Sequence, residues 1–557
     1  MLSARQVTVL RGNQTVLESV SLSVDRGARL GVVGPNGVGK TTLLRVLAGE
    51  QSPDHGRVER IPAGLLVALL AQETDAGPGE GLIEYLGRRT GVAAASAELD
   101  RQTTRLAADP DAVDDYSAAL DTFLLLGGDD FESRAATIAA EVGLTGDRLE
   151  IPVTSYSGGQ SARARLAAVM LTRADVLLLD EPTNDLDFDG LHLLERTVAR
   201  FEGAVVMVSH DRAFLDRAAT RVLEIEEHSH RASEYAGAWS EFVDRRALAR
   251  SQAGAAYAEW KSERDRLRAR IRGQRSWSEE GVRRAAKKPS DNDKAQRGFK
   301  VNRTEKQASK VRISERALER LGQVDKPWEG WDLRLDLSPA DRSGDRVAVL
   351  DGAVVRRGPW QLGPVDLEIR WAERIVVTGP NGSGKSTLLG AAMGTVALDA
   401  GTCWVGPSVR FGELDQRRGR IEPGSSLLDA FVASTSSSVE EARSVLAKFG
   451  LGAGHVTRAV GRLSPGERTR AQLAELMVRG TNCLVLDEPT NHLDLPAIEQ
   501  LEEALEGFTG TLLVVTHDRW LLETLRYDRL IHVEHGMVTD PGAQPATATE
   551  PAGGSGR

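Results

Sequence analysis

Two segments of the chain, Gly34–Thr41 (GPNGVGKT) and Gly379–Ser386 (GPNGSGKS), set glycines, a lysine and a hydroxyl in an order suited to holding phosphate. Glycines let backbone N–H groups approach an anion, and the helix that follows adds the positive end of its dipole. Gly34, Pro35, Asn36, Gly37, Val38, Gly39, Lys40, Thr41 and Thr42 form the first candidate phosphate site. Gly379, Pro380, Asn381, Gly382, Ser383, Gly384, Lys385, Ser386 and Thr387 form the second. Lys40 and Lys385 would reach the outer phosphates, and the Thr41 and Ser386 hydroxyls could ligate a divalent cation.

Further groups repeat in the same order after each loop. Acidic pairs Asp180-Glu181 and Asp487-Glu488 end apolar runs, followed in both copies by Pro-Thr-Asn. A carboxylate there can hold a metal through water, and the next one can orient or deprotonate an attacking water. His210 and His517, each before Asp-Arg, could reach a terminal phosphate. YSGGQ (Tyr156 to Gln160) and LSPGE (Leu463 to Glu467) lie between loop and acidic pair. The serines, glutamates and histidines of the two copies all differ by 307, whereas the lysines differ by 345, so copy one carries 38 additional residues. Gln72 and Gln416, 32 and 31 residues after the lysines, fit a metal- or water-sensing glutamine.

These groups need strands that end at them. Arg29–Val33 and Arg374–Thr378 are short apolar runs feeding the glycine loops, with helical patterns behind them. Apolar runs also precede the acidic pairs and the histidines, so each half reads as a parallel sheet with helices on it, an α/β fold. The added residues, about 87–136, have alanine-rich helical spacing broken at Asp109-Pro110 and read as a projecting helical hairpin. Between the halves, patterns over Trp239 to about Trp277 and Val301 to about Leu321 read as an antiparallel helix pair. Trp260, Leu267 and Ile271 would face Val311, Leu318 and Leu321, with a tip loop at about 278–300.

Composition sets the bounds. The 557 residues are 41% apolar, enough for packed cores, and the internal repeat argues for two large domains. Cys403 and Cys483 form no metal or disulfide spacing. No apolar run reaches membrane-helix length and no signal segment opens the chain, so a cytoplasmic protein with no integral membrane segment is expected. Net charge is −10, yet Lys261 to Arg320 holds 20 Lys and Arg against 9 Asp and Glu. That segment is either a polyanion contact or a solvated helical surface.

The two sets of motifs resemble the ATP-binding cassette superfamily over nearly all of the chain outside linker and tail. The resemblance implies ATP and Mg²⁺ as ligands, with Thr41, Gln72, Asp180, Ser386, Gln416 and Asp487 as metal contacts. It implies Glu181, Glu488, His210 and His517 as catalytic residues. It also implies that the two cassettes pair, so that Ser157, Gly158, Gly159 and Gln160 complete the site of Lys385. Ser464, Pro465, Gly466 and Glu467 would complete that of Lys40. Pro465 and Glu467 depart from the usual glycine and glutamine, but both sites keep Glu and His, and both are expected to hydrolyse. Arg11 and Arg357 stand where such cassettes usually carry an aromatic residue against adenine; a guanidinium plane can stack there, leaving base selectivity open.

Tandem cassettes joined by a charged helical hairpin are similar to the F subfamily of translation factors and ribosome-protection proteins, most of all its actinobacterial antibiotic-resistance members. The implied organisation is a first cassette at 1–235, a linker at 236–327, a second cassette at 328–540 and a disordered tail at 541–557. The implied partner is the ribosome, at its E site, with the linker tip near ribosomal RNA and the P-site tRNA. Lys287, Lys288, Arg297, Phe299 and Lys300 are the expected tip contacts. A general translation factor, or the ATPase subunit of an exporter with a separate membrane partner, shares much of this pattern.

Overall fold

The computed structural model describes residues 1–12, 14–71, 76–149, 151–286, 312–322, 342–414, 424–463, 465–491 and 493–541. The two halves of the sequence form cassettes of one pattern, which together make one compact unit; residues 240–332 make a second.

Each cassette is built on a six-stranded sheet. In the first, the order is Val67–Leu70, Val176–Asp180, Ala204–Val208, Arg29–Val33, Arg221–Ile225 and Ala232–Ala236, parallel except for the last strand. The second repeats it with Phe411–Leu414, Cys483–Asp487, Thr511–Val515, Arg374–Thr378, Arg529–Glu534 and Met537–Thr539. Both faces of such a sheet are covered, which is why Val176–Asp180 and Ala204–Val208 are buried at every position and read as continuous apolar runs. The strand before each glycine loop lies between the strand that ends at the histidine and the next parallel strand. The loops therefore open at the carboxyl ends of interior strands, where α/β sheets bind ligands.

Each cassette adds a three-stranded antiparallel sheet to the parallel sheet expected of each half. In the first it pairs Gln14–Val24, Leu2–Arg11 and His55–Arg60; in the second, Trp360–Arg370, Arg346–Arg357 and Ala400–Val405. Its strands escape sequence reading because bulges break their alternation: register shifts fall between Ala4 and Val7 and again before Val9, and Gln6 has a positive φ of 50°.

Within the added stretch of copy one, helices Val92–Ala108 and Val113–Leu125 form a hairpin. Asp109 caps the 3₁₀ turn Pro110–Ala112 by accepting the Asp111 N–H, and Arg105 meets Asp115 at 2.8 Å beside the turn.

In the second unit, helix Trp239–Ala286 runs 48 residues, about 72 Å at 1.5 Å per residue. It pairs antiparallel with a helix at 312–320: Trp260 Nε1 donates to the Gly322 carbonyl at 2.7 Å, and Ser314 Oγ lies 3.1 Å from Gln274 Oε1. Leu267 and Ile271 are buried, as their seam spacing requires, together with Ser314. The first helix extends past the expected end at Trp277, so residues 278–286 of the expected tip loop are helical. The reason is compositional: that stretch is rich in Glu, Arg and Ala, and the first strong breaker is Pro289. Lys287, Lys288, Arg297, Phe299, Lys300, Val311 and the tail from 542 onward lie outside the described residues.

Candidate nucleotide sites

Both glycine loops open a helix by the same geometry. Gly39 and Gly384 sit at the N-caps of Lys40–Ala48 and Lys385–Ala392 with φ of 111° and 113°. Glycine is required twice over: the backbone is left-handed, and a Cβ would stand 2.9 Å from Val16 Cγ1 at Gly39 and 2.6 Å from Trp360 Cζ2 at Gly384. Each lysine is buried, and its ammonium folds back onto its own loop. Lys40 Nζ donates to the Gly34 and Pro35 carbonyls at 2.7 and 3.1 Å; Lys385 Nζ donates to those of Gly379 and Pro380 at 2.8 and 3.0 Å. Burial lowers the Lys40 pKa, while Glu181, Asp494 and Asp180 favour the charged form.

At the end of its strand Asp180 is buried and accepts a hydrogen bond from the Thr41 hydroxyl; burial raises its pKa, and that hydrogen bond with Lys40 opposes the rise. One carboxylate with one hydroxyl suits a small, hard cation that takes its remaining ligands from phosphate and water. Ser386 and Asp487 are the matching pair, and Asp487 is exposed. Glu181 and Glu488 both have φ of 49°, a strained conformation repeated at both sites. Each carboxylate accepts the backbone N–H of its histidine, His210 or His517, at 3.3 Å. The imidazole Nε2 atoms lie 3.1 and 3.3 Å from Oε1 of Glu181 and Glu488. Those atoms are buried and, at this distance, out of hydrogen-bond alignment with each other, so each retains an unused hydrogen-bonding capacity.

Burial pushes the Glu181 carboxyl up to about 7, with Lys40 opposing and Asp180 adding. Burial raises Glu488 as well, opposed by Lys385. Burial and Lys40 hold His210 well below the ordinary imidazole value, and burial with Lys385 brings His517 down to about 3. Neutral imidazoles beside carboxyls of raised basicity are matched to proton handling near neutral pH.

The cassettes meet across these sites. Asn36 N–H donates to Asp494 Oδ2 at 2.9 Å, and Asn381 N–H to Asp187 Oδ2 at 3.2 Å, so each glycine loop is touched by an aspartate of the opposite cassette. A Cβ on Gly159 would lie 3.0 Å from Asn381 Nδ2. A cavity of about 1260 Å³ is lined by Ser157, Gly158, Gly159 and Gln160 of the first cassette and by Arg357, Gly382, Ser386, Thr387, Asp487, Glu488 and His517 of the second. Gln160 also forms a capping box with Ser157. Glu467, its counterpart, lies 3.2 Å from His455 and 3.3 Å from Arg458 within its own cassette. Arg11 is exposed.

Gln72, Gln416 and Ser464 lie outside the described residues, as do the side chains of Pro465 and Gly466. Sequence reasoning missed Asp187 and Asp494 as site residues, although both follow the repeated Asp-Glu-Pro-Thr-Asn text by three residues, in the common register of 307. It also missed Arg148 and Arg468, which line the cavity and carry no motif.

Paired glycine loops, acidic strand ends and trans contacts define a two-cassette ATPase. The family model described as "ABC transporter" matches residues 17–184 and 362–491. The tylosin resistance ATP-binding protein TlrC of Streptomyces fradiae is 35% identical over 533 residues, covering 93% of this chain and 94% of that protein. The ribosome protection protein VmlR of Bacillus subtilis is 30% identical, covering 97% and 88%. ABC transporter F family member 2 of Arabidopsis thaliana is 30% identical, covering 94% and 75%. The chain belongs to the F family of ATP-binding cassette proteins. Archaeal ribosome recycling factor aABCE1, solved with the stalk protein aP1, shares the fold at TM-score 0.57 and 18% identity over 96% of this chain and 89% of that one. Among the described residues no helix is long and apolar enough to cross a membrane.

Proposed function

We propose that this ATPase works in the cytoplasm, binding the ribosome with its cassettes paired around ATP and using the linker to protect the ribosome from antibiotics. The observation that carries this reading is the basic helical linker between two complete cassettes. Its excess of Lys and Arg is the charge that ribosomal RNA phosphates reward, in a chain otherwise acidic. The relatives named for tylosin resistance and for ribosome protection support the same reading.

In this cycle the glycine loops and the Ser157–Gln160 and Ser464–Glu467 segments enclose two nucleotides, and Lys40 and Lys385 exchange loop carbonyls for phosphate oxygens. Bound Mg²⁺ would supply positive charge against the phosphates, held by Thr41, Gln72 and Asp180 in one site and by Ser386, Gln416 and Asp487 in the other. Glu181 and Glu488 take a proton from the attacking water, and His210 and His517 position the terminal phosphate. Arg11 and Arg357 stack on the bases. The paired form enters the E site, the tip with Lys287, Lys288, Arg297, Phe299 and Lys300 acts beside the P-site tRNA, and hydrolysis releases the protein.

The test is translation in a reconstituted system inhibited by tylosin and, separately, by other ribosome-binding drugs. Wild-type protein should restore synthesis against at least one drug, and protein lacking residues 278–299 should not. Equal rescue by both proteins would refute the role given to the linker.

A further inference from the structure

Among the described residues, two ion pairs cross between the cassettes outside the nucleotide contacts. Arg212 Nη1 donates to both Glu502 oxygens, at 3.2 and 2.9 Å, and Arg519 Nη1 lies 2.5 Å from Glu195 Oε1. Both pairs are largely buried, with side-chain exposures of 7% and 19% in one and 10% and 13% in the other. They are related by the internal repeat: Arg212 and Arg519 differ by 307, as do Glu195 and Glu502. Bridges formed twice in register do not arise from chance surface charge.

Their placement gives them a task. Arg212 and Arg519 stand two residues beyond His210 and His517, opening helices Arg212–Ala218 and Arg519–Thr524 that Asp211 and Asp518 cap. Glu195 lies eight residues beyond Asp187 on helix Phe188–Arg200, and Glu502 eight beyond Asp494 on Leu495–Gly507. Eight residues is about two helical turns, so aspartate and glutamate share a face. The helix after Asp187 therefore touches the second cassette's site at its glycine loop, through Asn381, and at its histidine segment, through Arg519. The helix after Asp494 does the same for the first, through Asn36 and Arg212. Phe188 adds an edge-on contact to His517, with ring centroids 5.1 Å apart, and lies under Arg519 at 6.0 Å. The matching position, 495, is leucine, and in the counterpart brace Arg212 lies instead over the Trp520 ring at 5.8 Å.

We propose that Glu195, acting through Arg519, and Glu502, acting through Arg212, are positioning residues that brace the histidine segment of the opposite cassette for hydrolysis. Each brace serves one site: Glu195 that of Lys385, Glu502 that of Lys40. This rests on the roles assigned above to the glutamates and histidines.

The experiment measures ATP hydrolysis site by site in the full chain. In Glu181→Gln protein, where the Lys385 site alone turns over, Glu195→Ala should lower kcat about tenfold and leave KM within about threefold, while Glu502→Ala should change kcat less than about twofold. In Glu488→Gln protein the two effects should exchange. The double variant Glu195→Ala/Arg519→Ala should lose no more than either single, and Arg519→Lys should retain most of the rate. Equal losses at both sites, additive losses in the double variant, or losses confined to KM would overturn the brace. Persistent hydrolysis by Glu181→Gln/Glu488→Gln protein would overturn the site assignment, and the brace with it.

Discussion

Replacing Glu181 by Gln should stabilise the nucleotide-free protein as it silences its site, and the gain should grow with pH. The Glu181 side chain is 7% exposed, and burial raises its pKa from 4.5 to about 7. At about 1.4 kcal/mol per unit, holding it ionised in the fold costs about 3 kcal/mol. Between those two values the folded protein keeps a proton that the unfolded chain has released, so this group's contribution to stability falls as pH rises through that window. Glutamine does not ionise. The variant's advantage should therefore be about 1 kcal/mol at pH 5.5 and about 3 kcal/mol at pH 8.5. In a cassette of this size that widens the gap in Tm by several degrees. Calorimetry of both proteins at the two pH values measures it. A gap independent of pH, or a variant less stable at pH 8.5, would mean that the fold does not hold the Glu181 carboxylate desolvated. The same proton should govern rate: in Glu488→Gln protein, kcat should rise about tenfold from pH 6 to pH 8 as Glu181 ionises, and a flat profile would contradict it.

Gly384→Ala should abolish ATP binding at the second site, because its Cβ would meet Trp360 at 2.6 Å, whereas Gly382→Ala meets nothing within 4 Å and should cost only about 1 kcal/mol of backbone strain; fluorescent-nucleotide titration separates them. Although burial raises its pKa, hydrogen bonds from Asn381, Arg163 and Gly190 hold Asp187 below the usual carboxylate value. Asp187→Ala should lose about 1–2 kcal/mol with the helix cap and lower hydrolysis at the Lys385 site, read in Glu181→Gln protein. Leu267→Ala should weaken the linker helix pair by about 2–3 kcal/mol, lowering drug protection while basal ATP hydrolysis stays unchanged.

The chemistry of this chain is legible because it is written twice. Glycine, lysine, carboxylate and histidine recur in one order, the carboxylates and histidines at a common offset of 307, and buried parallel strands announce themselves as unbroken apolar runs, so Arg29–Val33 and Arg374–Thr378 fall where the sequence puts them. The antiparallel sheets are not legible, since bulges near Ala4 and Val7 erase the alternation that would mark Leu2–Arg11. Helix Trp239–Ala286 outruns its apolar seam because propensity carries it on after packing positions end. The trans aspartates stand in plain sight at the ends of repeated motifs, but only the fold shows that Asp187 and Asp494 face the other cassette's loop.

On the function proposed above, ATP held between the cassettes commits this protein to the ribosome. This is tested most directly by sedimenting ribosomes with Glu181→Gln/Glu488→Gln protein, with and without ATP. Pelleting with ATP and none without it is the expected outcome. Protein that stays in the supernatant with ATP, or pellets equally without it, would contradict the claim.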